Sequence, residues 1–277
     1  MTHSLQTIDA NGTCLAYLEQ GQGEPLLFIH GSLDDLRSWR LQMERFAERY
    51  HVIAYSRRYH YPNDFDERGP EYSALLHAED LAGLVAALGL GPAHLVASSF
   101  GGYVALCFTA RHLAAVRSLV LGEPPLMPWL AATPEGTLLA ETFDREAWQP
   151  ARGAFLAGDL EAGARFFLDG VTGRDTFNRL PPAGRRMMLD NARELRAECL
   201  SGTFFSAFGP DDAARIARPV LLLDGEFSPR MFYVITGELE RCLPDTERAV
   251  LPGASHAMHL GNPDAYAARV LAFLARH

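Results

Sequence analysis

The chain has 277 residues, 48% of them apolar, and 25 Lys+Arg against 34 Asp+Glu for a formal charge of −9; this suffices for one large α/β domain or a domain with an insertion. The acidic balance without any Lys/Arg-rich run excludes the basic footprint of a nucleic-acid binder, and no run of 18 apolar residues is available to span a membrane. Met1–Ala10 lacks the basic start and apolar core of a signal peptide, and Cys14, Cys107, Cys199 and Cys242 are scattered without metal-type spacing, so free thiols, no bound metal and a cytoplasmic location are expected.

In chain order, Cys14–Leu18 and Leu26–Ile29 read as short strands on either side of the turn Gly21–Pro25, and His51–Tyr55 as a third. Tyr72–Leu88 has apolar residues near helical spacing and stops at Gly89 and Gly91. Ala93–Ala97 resumes as a strand, Phe100–His112 as a helix and Val116–Leu121 as a strand. From Pro124 to Asp212 the alternation breaks into helices, among them Leu160–Leu168 and Pro182–Cys199, before the strands Pro219–Leu223 and Ala249–Leu251 and a closing helix Asn262–Arg276. Alternating strands and helices predict a mostly parallel sheet covered on both faces. Residues 1–123 and 213–277 would form that core, and residues 124–212 a helical lid, or a subdomain that only packs there.

The segment His94–Gly102 carries the strongest chemical signal: an apolar strand running into Ala97-Ser98-Ser99-Phe100-Gly101 and then a helix. A serine on such a strand-to-helix turn has its hydroxyl exposed, and the residues two before and two after it must be small. Ala97 and Gly101 satisfy this for Ser99, whereas Ser98 would be flanked by Val96 and Phe100. The following helix N-terminus favours a developing negative charge. The plainer role for Ser99 is a helix N-cap.

Serine is a weak nucleophile and needs a base. Of ten histidines, His256 lies in a loop after the last strand, Val250–Pro263, and such loops at carboxyl ends of parallel strands carry functional groups. His259 is its competitor, with packing as the alternative role; His94, His112 and His277 read as structural or surface residues. His30-Gly31-Ser32 directly follows a strand, so the backbone N–H groups of Ser32 and Phe100 are the candidate oxyanion donors.

On Phe28-Ile-His-Gly-Ser32 with Trp39 downstream, Val96–Gly102, and Pro252-Gly-Ala-Ser-His256 followed by His259 and Pro263, the chain resembles the α/β-hydrolase superfamily over nearly its whole length. The resemblance implies an eight-stranded, mostly parallel sheet, a helical lid between strands six and seven, and no cofactor. Two segments depart from the pattern. Relatives usually carry a glycine-rich loop where this chain has Tyr55-Ser-Arg-Arg-Tyr-His-Tyr-Pro-Asn63; here the loop is either a rigid support or shapes the pocket through Arg58, Tyr59 and His60. Where relatives most often place the triad acid, this chain has Ser228 in Leu223-Asp-Gly-Glu-Phe-Ser228, and serine cannot stabilise an imidazolium as a carboxylate does.

Glu123, after the strand Val116–Leu121, is the leading replacement, as in superfamily members that take their acid from after strand six. Asp224 and Glu226 are alternatives, Glu71 and Glu79 weaker ones, and a Ser–His dyad the last. The expected pocket includes His30, Arg58, Tyr59 and Trp129. Apolar lid residues such as Leu126, Met127, Leu130, Phe155, Phe166 and Phe167 either suit a hydrophobic substrate or form the lid's own core. The expected activity is hydrolysis of an ester or lactone of a small molecule through an acyl-enzyme, by a monomer or homodimer. Carbon–carbon bond hydrolysis, a lyase or cyclase reaction, and a triad-bearing ligand receptor are the alternatives.

Overall fold

Strand alternation distributes the apolar runs of this chain between two cores. In the computed structural model, which describes residues 4–65, 72–203, 205 and 208–277, Leu27, Ile29, Leu95, Ala97, Leu119 and Leu121 face one core. Leu26, Phe28, Val96, Val120, Leu221 and Leu223 face the other. Period-two runs buried on both faces are what a parallel sheet between helical layers requires.

The strands are β1 Gln6–Ala10, β2 Thr13–Gln20, β3 Glu24–Ile29, β4 Tyr50–Tyr55, β5 Ala93–Ser98, β6 Val116–Gly122, β7 Val220–Gly225 and β8 Thr246–Leu251. They form one sheet in the order β1-β2-β4-β3-β5-β6-β7-β8. The pairs β1–β2 and β2–β4 are antiparallel, and the remainder are parallel. Strand β1 was not among the expected strands. Its signal was the Asn11-Gly12 dipeptide, whose residues both take positive φ (46° and 71°) and turn β1 tightly into β2.

On one face lie α1 (Arg40–Phe46), which the sequence reading also missed, and the C-terminal helix. The opposite face carries α2 (Ala74–Ala87) and α3 (Phe100–Arg111). Between β6 and β7 come a short 3₁₀ helix Met127–Ala132, α4 (Pro134–Phe143), a π-helical turn Asp144–Trp148, α5 (Gln149–Leu156), α6 (Leu160–Thr172), α7 (Thr176–Arg179), α8 (Pro182–Asp190), α9 (Ala192–Leu200) and α10 (Pro210–Ala214). Among the described residues this segment contains no strand.

The helix expected over Pro182–Cys199 is broken at Asn191. The Asn191 side chain accepts from Tyr61 N–H (2.8 Å) and donates to Asp35 Oδ2 (2.8 Å), which anchors the break to the loops that follow β4 and β3. After β7 follow α11 (Arg230–Cys242), α12 (Met258–Gly261) and α13 (Pro263–Leu274). Helix α11 was not anticipated, although Met231, Phe232, Ile235 and Leu239 form its buried stripe. No described helix is long and apolar enough to cross a membrane.

Candidate active site

Ser99 sits between the end of β5 and the first residue of α3, with φ +51° and ψ −126°. A non-glycine residue with positive φ is strained and persists only where its surroundings hold it. Ser99 N–H donates to Gly122 O (2.7 Å), and Ser99 O accepts from Gly102 N–H (2.8 Å). Gly101 must lack a side chain because a β-carbon there would stand 2.4 Å from Ile29 O and 2.5 Å from His30 O. The end of β3 therefore sets the size limit at Gly101.

The loop after β3 passes directly over the serine. A β-carbon at Gly31 would meet Ser99 Cβ at 2.9 Å, and Ser32 lines the same cavity as Ser99. His30 lies behind this loop, fully buried. Its Nδ1–H donates to Gly31 O (2.9 Å), its Nε2 accepts from Arg57 N–H (2.9 Å), and the Arg57 guanidinium donates to His30 O and Gly31 O (both 3.1 Å). Burial, reinforced by nearby His60 and Arg57, holds the His30 pKa well below the ordinary range. His30 is a neutral brace for the loop and not part of the cavity wall.

The other expected pocket residues also lie elsewhere. Arg58 pairs with Asp80 (2.7 and 2.5 Å) and donates to Asn11 O (2.9 Å), against α2 and the β1–β2 turn. Tyr59 packs against Phe65 and Tyr72, and Trp129 stacks on Phe208. His60 donates from Nδ1 to Asp34 O (2.7 Å), and its Nε2 lies 2.9 Å from Glu194 Oε1. The loop after β4 thus braces the core through ion pairs and ring contacts.

Glu123 follows β6 directly, fully buried and with φ +47°. Its Oε1 accepts from Gly225 N–H (2.8 Å) and its Oε2 lies 2.5 Å from His256 Nδ1. The other carboxylates are engaged elsewhere: Asp224 Oδ2 with Arg248 Nε (2.7 Å), and Glu226 Oε2 with Gly253 N–H (2.7 Å). Glu79 is exposed, and Glu71 lies outside the described residues. Ser228, at the usual acid position, is turned against Gly225.

His256 is 6% exposed and stacks on Phe232 at 4.1 Å. His259 faces the other way: it stacks on Trp39 at 4.3 Å, its backbone carbonyl accepts from Gln42 Nε2, and burial pushes its pKa down to about 3. Among the described residues no hydrogen bond joins Ser99 Oγ to His256. Such bonds often form only once substrate is bound.

The cavity over Ser99 is walled by Ser32 and Glu198 and by aromatic side chains that include Phe143, Trp148, Phe167, Phe205 and Phe232. It leaves the centre of a water molecule about 20 Å³ to occupy, room for one or two waters. A larger cavity of about 490 Å³ lies outside it and lacks Ser99, and Phe143 and Met231 stand in the walls of both. Glu198 was not among the expected site residues, although its signal is present in the sequence: Glu194 and Glu198 fall on the same stripe of α9 as the buried Leu195 and Cys199.

The sequence profile of the alpha/beta hydrolase family matches residues 26–269. The chain is similar to a non-heme haloperoxidase from Rhodococcus erythropolis, with 31% identity over 275 residues that cover 96% of this chain and 97% of that protein. It is also similar to 2-(acetamidomethylene)succinate hydrolase from Mesorhizobium japonicum, with 27% identity across 93% of this chain and 90% of that protein. Among solved structures, the enol-lactonase from Burkholderia xenovorans LB400 superposes with a TM-score of 0.76 over 98% of this chain and 100% of that one, at 19% identity.

Proposed function

The chain belongs to the alpha/beta hydrolase family, and on that premise we propose that it cleaves a carboxylic ester or lactone of a mostly hydrophobic small molecule through an acyl-enzyme on Ser99. The observation that carries this reading is the buried Glu123–His256 pair, 2.5 Å apart; Glu123 comes directly after Gly122, whose carbonyl accepts from the N–H of Ser99, a serine held at positive φ at a helix N-terminus. His256 Nε2 takes the Ser99 proton as Oγ attacks the carbonyl, and it later protonates the leaving alcohol and activates water. Glu123 holds the proton on Nδ1 and stabilises the imidazolium. The N–H groups of Ser32 and Phe100 bind the oxyanion.

The helical segment between β6 and β7 serves as the lid. Its aromatic wall excludes water and suits an apolar acyl group. The names of the Rhodococcus and Mesorhizobium relatives span different chemistries, so they support hydrolase chemistry more than any one substrate. The test is turnover of short-chain p-nitrophenyl esters, together with mass spectrometry after a fluorophosphonate probe. The probe is expected on Ser99, with loss of both labelling and turnover in Ser99→Ala. Equal turnover by Ser99→Ala, or no turnover across a broad ester and lactone panel, would overturn the assignment.

A further inference from the structure

Helix α9 carries two carboxyls one turn apart, Glu194 and Glu198, and both are buried. Buried acids are rare unless paired, so each needs an account. Glu194 approaches His60 Nε2 at 2.9 Å and Arg57 at 3.9 Å, within the brace behind the oxyanion loop. Glu198 differs. It lines the cavity over Ser99, its Oε1 accepts from Ser32 Oγ–H at 2.8 Å, and its buried Oε2 has no hydrogen-bond partner among the described residues. The mechanism above does not use it.

The titratable groups that act on Glu198 are Arg57 and Glu194, and the Ser32 hydroxyl donates to it. Burial first and Glu194 second raise its pKa well above the carboxylate range, against smaller opposing contributions from Arg57 and Ser32. The neutral acid then has its carbonyl oxygen on Ser32 and its O–H on the unpartnered Oε2. A buried donor left unmatched is costly, and the groups around it are chiefly aromatic and aliphatic. A ligand oxygen is the natural acceptor. Ser32 also supplies the proposed oxyanion N–H, so that acceptor belongs near the reacting carbonyl.

We propose that Glu198 is a specificity-determining residue whose Oε2–H donates to a second oxygen of the substrate, on the α- or β-carbon of the acyl group. The preferred substrates are therefore apolar esters or lactones with an oxygenated acyl portion, such as keto- or alkoxy-acyl compounds, over plain hydrocarbon esters. This rests on the serine-hydrolase reading and refines its substrate class.

The test compares p-nitrophenyl methoxyacetate with the nearly isosteric butyrate in wild type, Glu198→Met and Glu198→Gln. Taking the ratio of kcat/KM values across variants cancels the intrinsic reactivity of the two esters. The methoxyacetate-to-butyrate ratio is expected to fall at least tenfold in Glu198→Met and to recover to within threefold of wild type in Glu198→Gln, whose amide keeps one acceptor for Ser32 and one donor for the substrate. An unchanged ratio in Glu198→Met overturns the proposal while leaving the hydrolase reading intact. A ratio lost equally in Glu198→Gln also overturns it, because the group would then act as a carboxylate. Wild type hydrolysing neither ester, nor any of the wider ester and lactone panel, overturns both. Independently of how Glu198→Met folds, an infrared difference spectrum of wild type against Glu198→Gln at neutral pH should contain a protonated-carboxyl stretch; its absence refutes the neutral donor.

Discussion

Replacing Glu123 by Gln probes the acid of the site with little change in shape. In the native protein its two oxygens accept two donors, Gly225 N–H at 2.8 Å and His256 Nδ1–H at 2.5 Å. The amide offers one oxygen and one NH₂ in the same place, so one of those donors must face another donor. The backbone N–H of Gly225 cannot change its character, whereas imidazole can shift its proton between nitrogens. The amide oxygen therefore stays on Gly225, the NH₂ faces Nδ1, and the ring proton moves to Nε2. That tautomer cannot accept the Ser99 proton. Triad acid-to-amide substitutions of this kind lower kcat by about 10⁴, and a fall of about 10²–10⁴ corresponds to roughly 2.7–5.5 kcal/mol of lost transition-state stabilisation. The assay is steady-state hydrolysis of p-nitrophenyl butyrate, with circular dichroism to confirm an unchanged fold. Near-native turnover by Glu123→Gln, with a comparable loss in Glu226→Gln or Asp224→Asn instead, would refute the reasoning.

Two further predictions concern the brace behind the site and the wall of its cavity. Burial pushes the Glu194 carboxyl up to about 8 from its ordinary 4.5. The folded state thus holds a proton that the unfolded chain releases, and the associated stability is present below about pH 4.5 and lost as pH rises through about 8. The wild-type Tm should decline over that window, and Glu194→Gln, which cannot ionise, should flatten the decline when Tm is followed by calorimetry from pH 5 to 9; an unchanged slope contradicts the burial argument. Phe143 lines both the inner and outer cavities, so Phe143→Ala should join them and raise the octanoate-to-acetate ratio of kcat/KM by about tenfold, at a stability cost of about 1–3 kcal/mol for a half-buried aromatic. A ratio that stays put in ester kinetics would mean the wall is elsewhere.

Much of the architecture was legible in the sequence because it follows from local rules. Period-two apolar runs, glycine stops and the small-x-Ser-x-Gly turn each need only a few neighbouring residues, and they led to seven of the sheet's strands and to Ser99 at the end of β5. Residue order likewise put His256 in the loop after β8. Which carboxylate meets His256 was not local. Glu123 and His256 are 133 positions apart, and they adjoin because β6, β7 and β8 lie side by side in the sheet, with Gly225 N–H orienting the carboxylate.

The same holds for the pocket. His30, Arg58 and Tyr59 stand beside the right motifs in sequence, yet their side chains turn into the core to brace it. The cavity instead takes Glu198 from a helix about a hundred residues after Ser99. Sequence patterns specify which face of an element is buried. Only the packing of distant elements decides what that face is buried against, and so whether a carboxyl there is paired, neutral or available to a ligand.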